Sequence, residues 1–506
     1  MRTGGARGAA GLRGRLCLLG VTVLCLAYGP GGRPAAAATP SAQPDASSWR
    51  PPPVNPAALP PDTPPGPPPG VTFVQKNACV RPNPNKVPLL SEPVAQSMLD
   101  IRTAQQFSTG AGVKVAVIDT GVNPNPLLTD HGRLKGGGDY VTPGPNSDGT
   151  VDCDGHGTLT AGIVAADTAN TAFGFTGVAP GATIYAIRQT STLYQGRRGN
   201  QDTGRTAGTP SSLAGAIVHA VNLGVQVITT SVDTCLPVVD AVAEMHTAGS
   251  PEQQLQAAIG YAVDHNVVVV NSAGNVPPQA QGADQTQDPG TCVAGQQNNQ
   301  PNPNDVREIE IPAVFSDDLL SVASVSPLTG SVSSFSVWGP WVNIAAPGEG
   351  ITSVDPGVGG NGLVNLFGEP GGNSGPTPIQ GTSFAAPYVA GVVALVRARF
   401  PELTARQVIQ RLEATAQHPS GPGGRNNQIG FGIVDPVAAL TQAVPGQNGV
   451  PAVHDTVIPP QLPMSAVKDW TPARVALIGT VTAVTLLLVT LFVVRTIRRR
   501  QPPEEP

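Results

Sequence analysis

Between residues 112 and 445 the chain alternates short apolar runs with longer stretches of helical spacing, and this alternation restricts the fold more than any other feature. Runs typical of strands occur at 113–118, 183–187, 225–230 and 267–270. Helical spacing occurs at 213–223 and 255–265. Continuous apolar runs are typical of strands that are buried on both faces. The pattern therefore predicts an α/β fold, with a mostly parallel sheet and helices on both of its faces.

The first 38 residues have the composition of a secretory signal peptide. Arginines precede an apolar core from Leu16 to Tyr28, and small residues follow at Ala35–Ala38. This order of segments is that of a signal peptide, and we expect cleavage after Ala38. An uncleaved membrane anchor is the alternative, but the apolar core is too short to span a bilayer.

A second apolar run lies near the C-terminus. It extends from Val475 to Val494 without a charged residue, and four arginines follow between residues 495 and 500. A buried core helix is disfavoured by the length of the run and by its basic flank. We expect a transmembrane helix at 473–494 and a cytoplasmic tail at 495–506, since positive residues stay on the cytoplasmic side.

The remaining segments divide the exported part of the chain. Residues 40–69 contain 13 prolines, so 39–70 is predicted to be an extended arm. An N-terminal extension at 71–111, a main domain at 112–445 and a stalk linker at 446–472 follow. Within the main domain, polar inserts at about 189–211 and 276–307 are predicted to be surface loops. Thr404 and Gln407 have the spacing of a helix capping box.

Charge and cysteine content restrict the function. Charged residues make up 12% of the chain and the net charge is −5, which disfavours a nucleic-acid-binding protein. Two cysteines leave with the signal peptide, and an even number remains in an oxidising compartment: Cys79, Cys153, Cys235 and Cys292. Two disulfides are therefore expected. The absence of a CxxC pair from the sequence disfavours a zinc site.

Four short polar motifs follow the predicted strands or begin a predicted helix. They are DTG at 119–121, DGHGT at 154–158, SAGN at 272–275, and GTSFAAP at 381–387, which opens a helix at 382–399. Each has a structural alternative, since Ser383 suits a helix N-cap and Asp119 or Asn275 suits a turn. His156 lies between two glycines, where it would pack poorly as a core residue.

Together the four motifs supply the parts of a serine hydrolase. Ser383 would be the nucleophile, His156 the base and later the acid, and Asp119 the group that orients the imidazole. The side-chain amide of Asn275 and the backbone N–H of Ser383 would form an oxyanion hole. An esterase or lipase is disfavoured, because those enzymes usually place the nucleophile in GxSxG and order the triad Ser, Asp, His.

These motifs, in the order Asp, His, Ser, resemble those of subtilases over about residues 112–440. The signal peptide, proline-rich arm and C-terminal anchor make the whole plan similar to that of mycosins. That resemblance implies a subtilisin-like fold and a membrane-anchored serine endopeptidase that cleaves proteins exported by a type VII secretion system. It also implies subunits of the secretion membrane complex as partners, the extracytoplasmic side as the location of the domain, and no cofactor or essential metal. The implied disulfides are Cys79–Cys153 and Cys235–Cys292.

One segment departs from the subtilase pattern. Where subtilases often have Ser-Leu-Gly beside the substrate, this chain has Ser-Val-Asp at 231–233. Asp233 is either a residue that makes the groove more selective or a solvated loop residue. A structural subunit with an idle catalytic site is the competing functional hypothesis, since the arm and anchor exceed what hydrolysis requires.

Overall fold

The structure, a computed structural model, describes most of the chain between Trp49 and Arg499. The described residues are 49–83, 89–144, 147–276, 292, 298, 306–368, 375–420, 422–447 and 471–499. The predicted signal peptide at 1–38 lies outside the described residues. So do most of the predicted insert at 276–307, most of the predicted stalk at 446–472 and the end of the predicted tail.

The strands are, in chain order, β1 (Thr72–Gln75), β2 (Lys114–Asp119), β3 (Leu134–Asp139), β4 (Thr183–Arg188), β5 (Ser191–Arg198), β6 (Gln201–Ala207), β7 (Val227–Thr230), β8 (Thr234–Pro237), β9 (Val268–Ser272), β10 (Glu308–Ile311), β11 (Leu320–Val325), β12 (Ile344–Pro347), β13 (Ser353–Val354), β14 (Leu363–Val364), β15 (Leu366–Phe367) and β16 (Thr377–Pro378). The helices are α1 (Val94–Met98), α2 (Ile101–Gln105), α3 (Pro126–Thr129), α4 (His156–Ala165), α5 (Pro210–Asn222), α6 (Val238–His246), α7 (Pro251–Asp264), α8 (Thr382–Arg399), α9 (Ala405–Thr415), α10 (Pro436–Thr441) and α11 (Thr471–Arg499).

A seven-stranded sheet organises the main domain. Its strand order is β12-β11-β9-β7-β2-β4-β3, and every neighbouring pair is parallel. The four apolar runs of the sequence correspond to β2, β4, β7 and β9, with ends shifted by one or two residues. All residues of β7 and β9 are buried, as expected for strands covered on both faces. The predicted parallel α/β fold is confirmed.

Two pairs of helices cover the sheet. Helices α4 and α8 pack against each other, and α8 also contacts β7, β9, β11 and β12. Helices α5 and α7 form the second pair, over β2 and β9. Nearly all side chains of α4 and α8 are buried, because these two helices lie between the sheet and further chain. The predicted capping box starts α9, where Thr404 and Gln407 cap each other's backbone N–H groups.

The described part of the arm, 49–70, is held against the main domain by specific contacts. The Trp49 ring packs on Trp341 with centroids 5.9 Å apart. Further along, Asn55 Nδ2 donates to Gln253 Oε1 of α7 at 3.2 Å. Asp62 contacts His219 Nδ1 of α5 at 3.0 Å. The arm therefore packs along the α5–α7 side of the domain.

The first polar insert is a β-hairpin, so its prediction as a loop is wrong. Strands β5 and β6 pair with each other, and β5 also pairs with β1 of the N-terminal extension, both antiparallel. Six of the seven residues of β6 are exposed. Polar composition indicated exposure correctly, but an antiparallel ribbon can expose a face and keep its backbone hydrogen bonds.

Two disulfides connect distant parts of the domain. Cys79–Cys153 joins the extension to the loop before α4, and Cys235–Cys292 joins β8 to the second insert. These are the pairings that the family resemblance implies. Cys153 of the first bond lies three residues before His156 in the sequence.

Helix α11 differs from every other described helix in its exposure. Residues 476–496 have a mean hydropathy of 2.5 and are not buried by the rest of the chain. The helix is long and apolar enough to span a membrane, and it overlaps the predicted span at 473–494.

Candidate active site

The four predicted site residues lie at the carboxyl edge of the parallel sheet. Asp119 is the last residue of β2, and Asn275 follows β9 by three residues. His156 is the first residue of α4 and Ser383 is the second residue of α8. Because parallel strands end at the same edge and α4 packs on α8, motifs that are far apart in sequence meet in one cleft.

Asp119 and His156 form a direct contact. Oδ1 of Asp119 lies 2.8 Å from Nδ1 of His156 and also accepts the Thr120 N–H at 2.7 Å. The Asp119 side chain is only 3% exposed, whereas that of His156 is 29% exposed. The imidazole also packs on the Phe384 ring, with centroids 4.9 Å apart. With Nδ1 held by the carboxylate, Nε2 is the nitrogen that remains free to accept a proton.

The electrostatic surroundings favour the protonated form of His156. Burial lowers the pKa of the imidazole, but the charge and hydrogen bond of Asp119 raise it, with smaller contributions from Asp152 and Asp154. The net result is a pKa above the usual value of 6.5. A nearby carboxylate stabilises imidazolium, which a base needs in order to hold a proton during a reaction.

Glycines on both sides of His156 are required by the backbone geometry. Gly155 has a φ of 89°, a conformation that favours glycine. A Cβ on Gly157 would lie 2.1 Å from the carbonyl oxygen of Gly121. The DGHGT motif thus lets the start of α4 approach the end of β2 closely enough for the contact between His156 and Asp119.

A buried carboxylate that the sequence did not single out supports this approach. Asp152 accepts hydrogen bonds from Thr120 Oγ1 at 2.8 Å, Gly155 N at 2.7 Å, Thr158 N at 2.9 Å and Thr158 Oγ1 at 2.6 Å. Thr120 Oγ1 in turn accepts the Gly157 N–H at 2.9 Å. Burial raises the pKa of Asp152 to about 6, although these hydrogen bonds oppose the shift. Asp152 therefore links the end of β2 to the first turn of α4.

Ser383 is not a helix cap. Gly381, which has no side chain to donate or accept a capping hydrogen bond, is the N-cap residue of α8. Within the described residues, the Ser383 hydroxyl makes no hydrogen bond, and the residue is 9% exposed. Gly381 has a φ of 149°, and a Cβ there would lie 3.0 Å from Ser383 Oγ. The hydroxyl therefore lies in the first turn of α8, where backbone N–H groups lack helical partners.

Asn275 has a defined orientation beside Ser383. Its Oδ1 accepts the backbone N–H of Thr382 at 3.0 Å and the Thr382 hydroxyl at 3.1 Å. Among the described residues, none accepts a hydrogen bond from Nδ2 of Asn275. The amide donor is thus unoccupied next to the nucleophile candidate, as an oxyanion hole requires. Thr382, which sets this orientation, was not identified from the sequence.

One group of side chains has the proximity of metal ligands. Sulfur atoms of Cys235 and Cys292 and a carboxylate oxygen of Glu308 lie within 4.8 Å of one another. The two sulfurs form a disulfide, so neither is a thiolate that binds metal ions.

Comparison with known proteins gives consistent relatives. The model of the subtilase family matches residues 110–432. Mycosin-3 of Mycobacterium tuberculosis is 40% identical over 474 residues, which cover 91% of this chain and 96% of that protein. Mycosin-1 of Mycolicibacterium smegmatis is 40% identical over 431 residues, which cover 82% of this chain and 87% of that protein.

Solved structures are similar as well. The crystal structure of MycP1 from the ESX-1 type VII secretion system superposes with a TM-score of 0.64 at 40% identity, covering 78% of this chain and 96% of that one. A chain of an intact ESX-5 inner membrane complex superposes with a TM-score of 0.63 at 36% identity, covering 88% of this chain and 99% of that one.

Proposed function

This chain belongs to the subtilase family, among relatives that are mycosins, and on that premise we propose that Asp119, His156 and Ser383 form the catalytic triad of a serine endopeptidase. The observation that carries the proposal is the 2.8 Å contact between His156 and Asp119, made beside the unbonded hydroxyl of Ser383. An orienting carboxylate is what a histidine base requires.

In the acylation step, Ser383 Oγ attacks the scissile carbonyl and transfers its proton to His156 Nε2. The C–O bond forms while the carbonyl π bond breaks, so negative charge develops on the carbonyl oxygen. Asn275 Nδ2 and the Ser383 N–H donate to that oxygen. His156 then gives the proton to the leaving amine, the C–N bond breaks, and an acyl-enzyme remains. Asp119 holds the imidazole and stabilises its charged form throughout.

In the deacylation step, water takes the place of the amine. The water oxygen attacks the ester carbonyl while His156 accepts a proton from the water. The bond between the acyl carbon and Ser383 Oγ then breaks, His156 returns the proton to Oγ, and the carboxylic acid product leaves. The described structure has no hydrogen bond between His156 and Ser383. Contacts of this kind are often long in a free enzyme and shorten when substrate binds.

Labelling with a fluorophosphonate probe tests the proposed triad. The full-length chain in detergent should label at Ser383, and both Ser383→Ala and His156→Ala should abolish labelling. Strong labelling of Ser383→Ala would refute the assignment of the nucleophile. A folded wild-type chain that does not label would favour the idle-site hypothesis.

We also propose that the chain works at a membrane, with a type VII secretion complex. MycP1 is described as a serine protease and an essential component of the ESX-1 system, and a similar chain is part of the ESX-5 inner membrane complex. The exposed apolar helix at 476–496 and the arginines after it support an anchor with a cytoplasmic tail. The catalytic domain would then lie on the extracytoplasmic side and cleave exported proteins.

A further inference from the structure

A small pocket opens beside the proposed triad, and two contacts define its position. Ser231 Oγ donates to the carbonyl of Ser383 at 3.4 Å, and Asp233 lines the pocket two residues further along that segment. Thr190 also lines the pocket, and its N–H donates to the carbonyl of Asp119 at 3.3 Å. The pocket is therefore lined by segments that contact the proposed nucleophile and the proposed orienting acid.

The pocket has room for one side chain. Its volume is about 180 Å³, and pockets that hold whole small molecules usually begin near 300 Å³. Leu213, Val232, Leu255 and Ile311 give it aliphatic walls, and four threonines also line it. Walls of this kind match a chain of methylene groups.

Asp233 supplies the charge of the pocket. It is the one ionisable residue among the described residues that line it. The side chain is half-buried, and its carboxylate makes no hydrogen bond to any residue of the described chain. Burial raises the pKa of Asp233 to about 6, while the charge of His156 opposes the shift. Asp233 is therefore mostly ionised at neutral pH.

A second acid, Glu310, lies near Asp233, and the charge of Asp233 affects its pKa. It is 2% exposed and packs on Gly274, where a Cβ would lie 2.5 Å from its Oε2. Burial raises its pKa well above the usual value, and the charges of Asp233 and Glu308 add to this. A carboxyl group is either neutral or negative, so Glu310 cannot neutralise Asp233, and no cationic side chain lines the described pocket.

A half-buried carboxylate without a hydrogen-bond partner costs free energy, which a cationic group would recover. Lysine and arginine carry such a group on a methylene stem that suits apolar walls. We propose that Asp233 is a specificity-determining residue, which binds a lysine or arginine side chain of the protein substrate in this pocket. The inference rests on the proposed function, since it assigns a substrate preference to the same cleft.

The test compares matched peptide substrates of the full-length chain in detergent. A peptide library, with cleavage sites read by mass spectrometry, first identifies the substrate position at which basic residues are preferred. Two peptides are then made that differ only there. One carries lysine and the other norleucine, which keeps an unbranched alkyl chain but has no charge.

The wild-type chain should cleave the lysine peptide with a kcat/KM about tenfold higher, equivalent to about 1.4 kcal/mol. Asp233→Asn and Asp233→Ser should bring the ratio of the two kcat/KM values close to one, while the norleucine peptide is still cleaved. Glu310→Gln, which changes the neighbouring acid and leaves Asp233 in place, is the matched control and should keep the preference. High salt should reduce the wild-type ratio.

The ratio separates this inference from the proposed function. No basic preference in the wild type, or an unchanged ratio in Asp233→Asn, overturns the role of Asp233 while cleavage itself stands. If the wild type labels with the fluorophosphonate probe but cleaves neither peptide, binding to Ser383→Ala is measured by fluorescence anisotropy. Equal affinity for the two peptides overturns the inference. Tighter binding of the lysine peptide supports the inference if the additional substitution Asp233→Asn abolishes the difference in affinity. Failure of labelling overturns the proposed function instead.

Discussion

At the scale of single residues, two side chains of the proposed site each have one polar atom held by a neighbouring residue and a second polar atom free for the reaction. Asp119 occupies Nδ1 of His156, which leaves Nε2 free to accept the proton of the Ser383 hydroxyl. Thr382 occupies Oδ1 of Asn275 with two hydrogen bonds, which leaves Nδ2 as a donor. In both cases a neighbour fixes the direction of a group before substrate arrives, and preorganisation of this kind is what makes electrostatic stabilisation effective.

Removal of the Asn275 amide should therefore slow acylation without abolishing it. Asn275→Ala is expected to lower kcat by about 10²–10³-fold, a magnitude taken from the same substitution class in a subtilisin. Thr382→Val, which removes one of the two hydrogen bonds to Oδ1, should cause a smaller loss. Steady-state peptide hydrolysis measures both, with Ser383→Ala as the inactive reference. Equal kcat values for Asn275→Ala and wild type would exclude Asn275 from the oxyanion hole.

The raised pKa of His156 determines the pH dependence of activity. The base must be neutral to accept the Ser383 proton, so kcat/KM should fall as pH decreases through a midpoint above 6.5. Asp119 raises this pKa, so the residual activity of Asp119→Asn should have its midpoint at a lower pH. The measurement is the pH profile of kcat/KM for a substrate without ionisable side chains. A wild-type midpoint below 6.5 would contradict the expected stabilisation of imidazolium.

At the scale of secondary-structure elements, the sequence predicts the secondary structure of buried segments better than that of exposed segments. Strands β2, β4, β7 and β9 are continuous apolar runs, and a run that is buried on both faces has a distinctive composition. Hairpin β5–β6 is polar because it is exposed, and its pairing with β1 depends on the extension, which is remote in sequence. Asp152 could not be identified either, because its role arises from four donors that only the folded chain brings around it.

The Cys79–Cys153 bond should stabilise the extension and the loop before α4. Its cysteines are 74 residues apart in sequence, and loop entropy predicts a contribution of about 4 kcal/mol for a ring of that size. The double variant Cys79→Ser/Cys153→Ser should unfold at a lower temperature and label more slowly with fluorophosphonate, because the loop leads directly to His156. Thermal denaturation followed by circular dichroism measures the first effect.

The second disulfide is the control for this prediction. Cys235 and Cys292 are 57 residues apart, so their loss should lower the unfolding temperature to a similar degree. The rate of fluorophosphonate labelling should change less in this variant, since the Cys79–Cys153 bond still holds the loop that leads to His156. A double variant of the first bond with unchanged unfolding temperature would show that the arm and β1 hold the extension without it.

At the scale of the whole molecule, the order of motifs along the chain was sufficient to predict one cleft. Asp119, Asn275 and Ser383 each adjoin an end of a buried element, and parallel topology brings such ends to one edge. The contacts of the arm could not be predicted in the same way. Proline content indicates an extended chain, but Trp49 packs on Trp341 of a loop and Asp62 contacts His219 of α5, and these surfaces exist only after folding.

The extent of the arm, extension and anchor predicts that the chain has a role in secretion beyond hydrolysis. In cells, a strain that carries only Ser383→Ala should still assemble the secretion complex, because the substitution leaves the arm contacts, both disulfides and α11 unchanged. A strain without the chain should recover less of the complex and export less protein. Native gels and quantification of culture-filtrate proteins measure the two effects, with a wild-type copy as the restoring control. Equal secretion defects in the two mutant strains would assign the requirement to proteolysis, whereas a defect confined to the deletion would assign it to the folded chain itself.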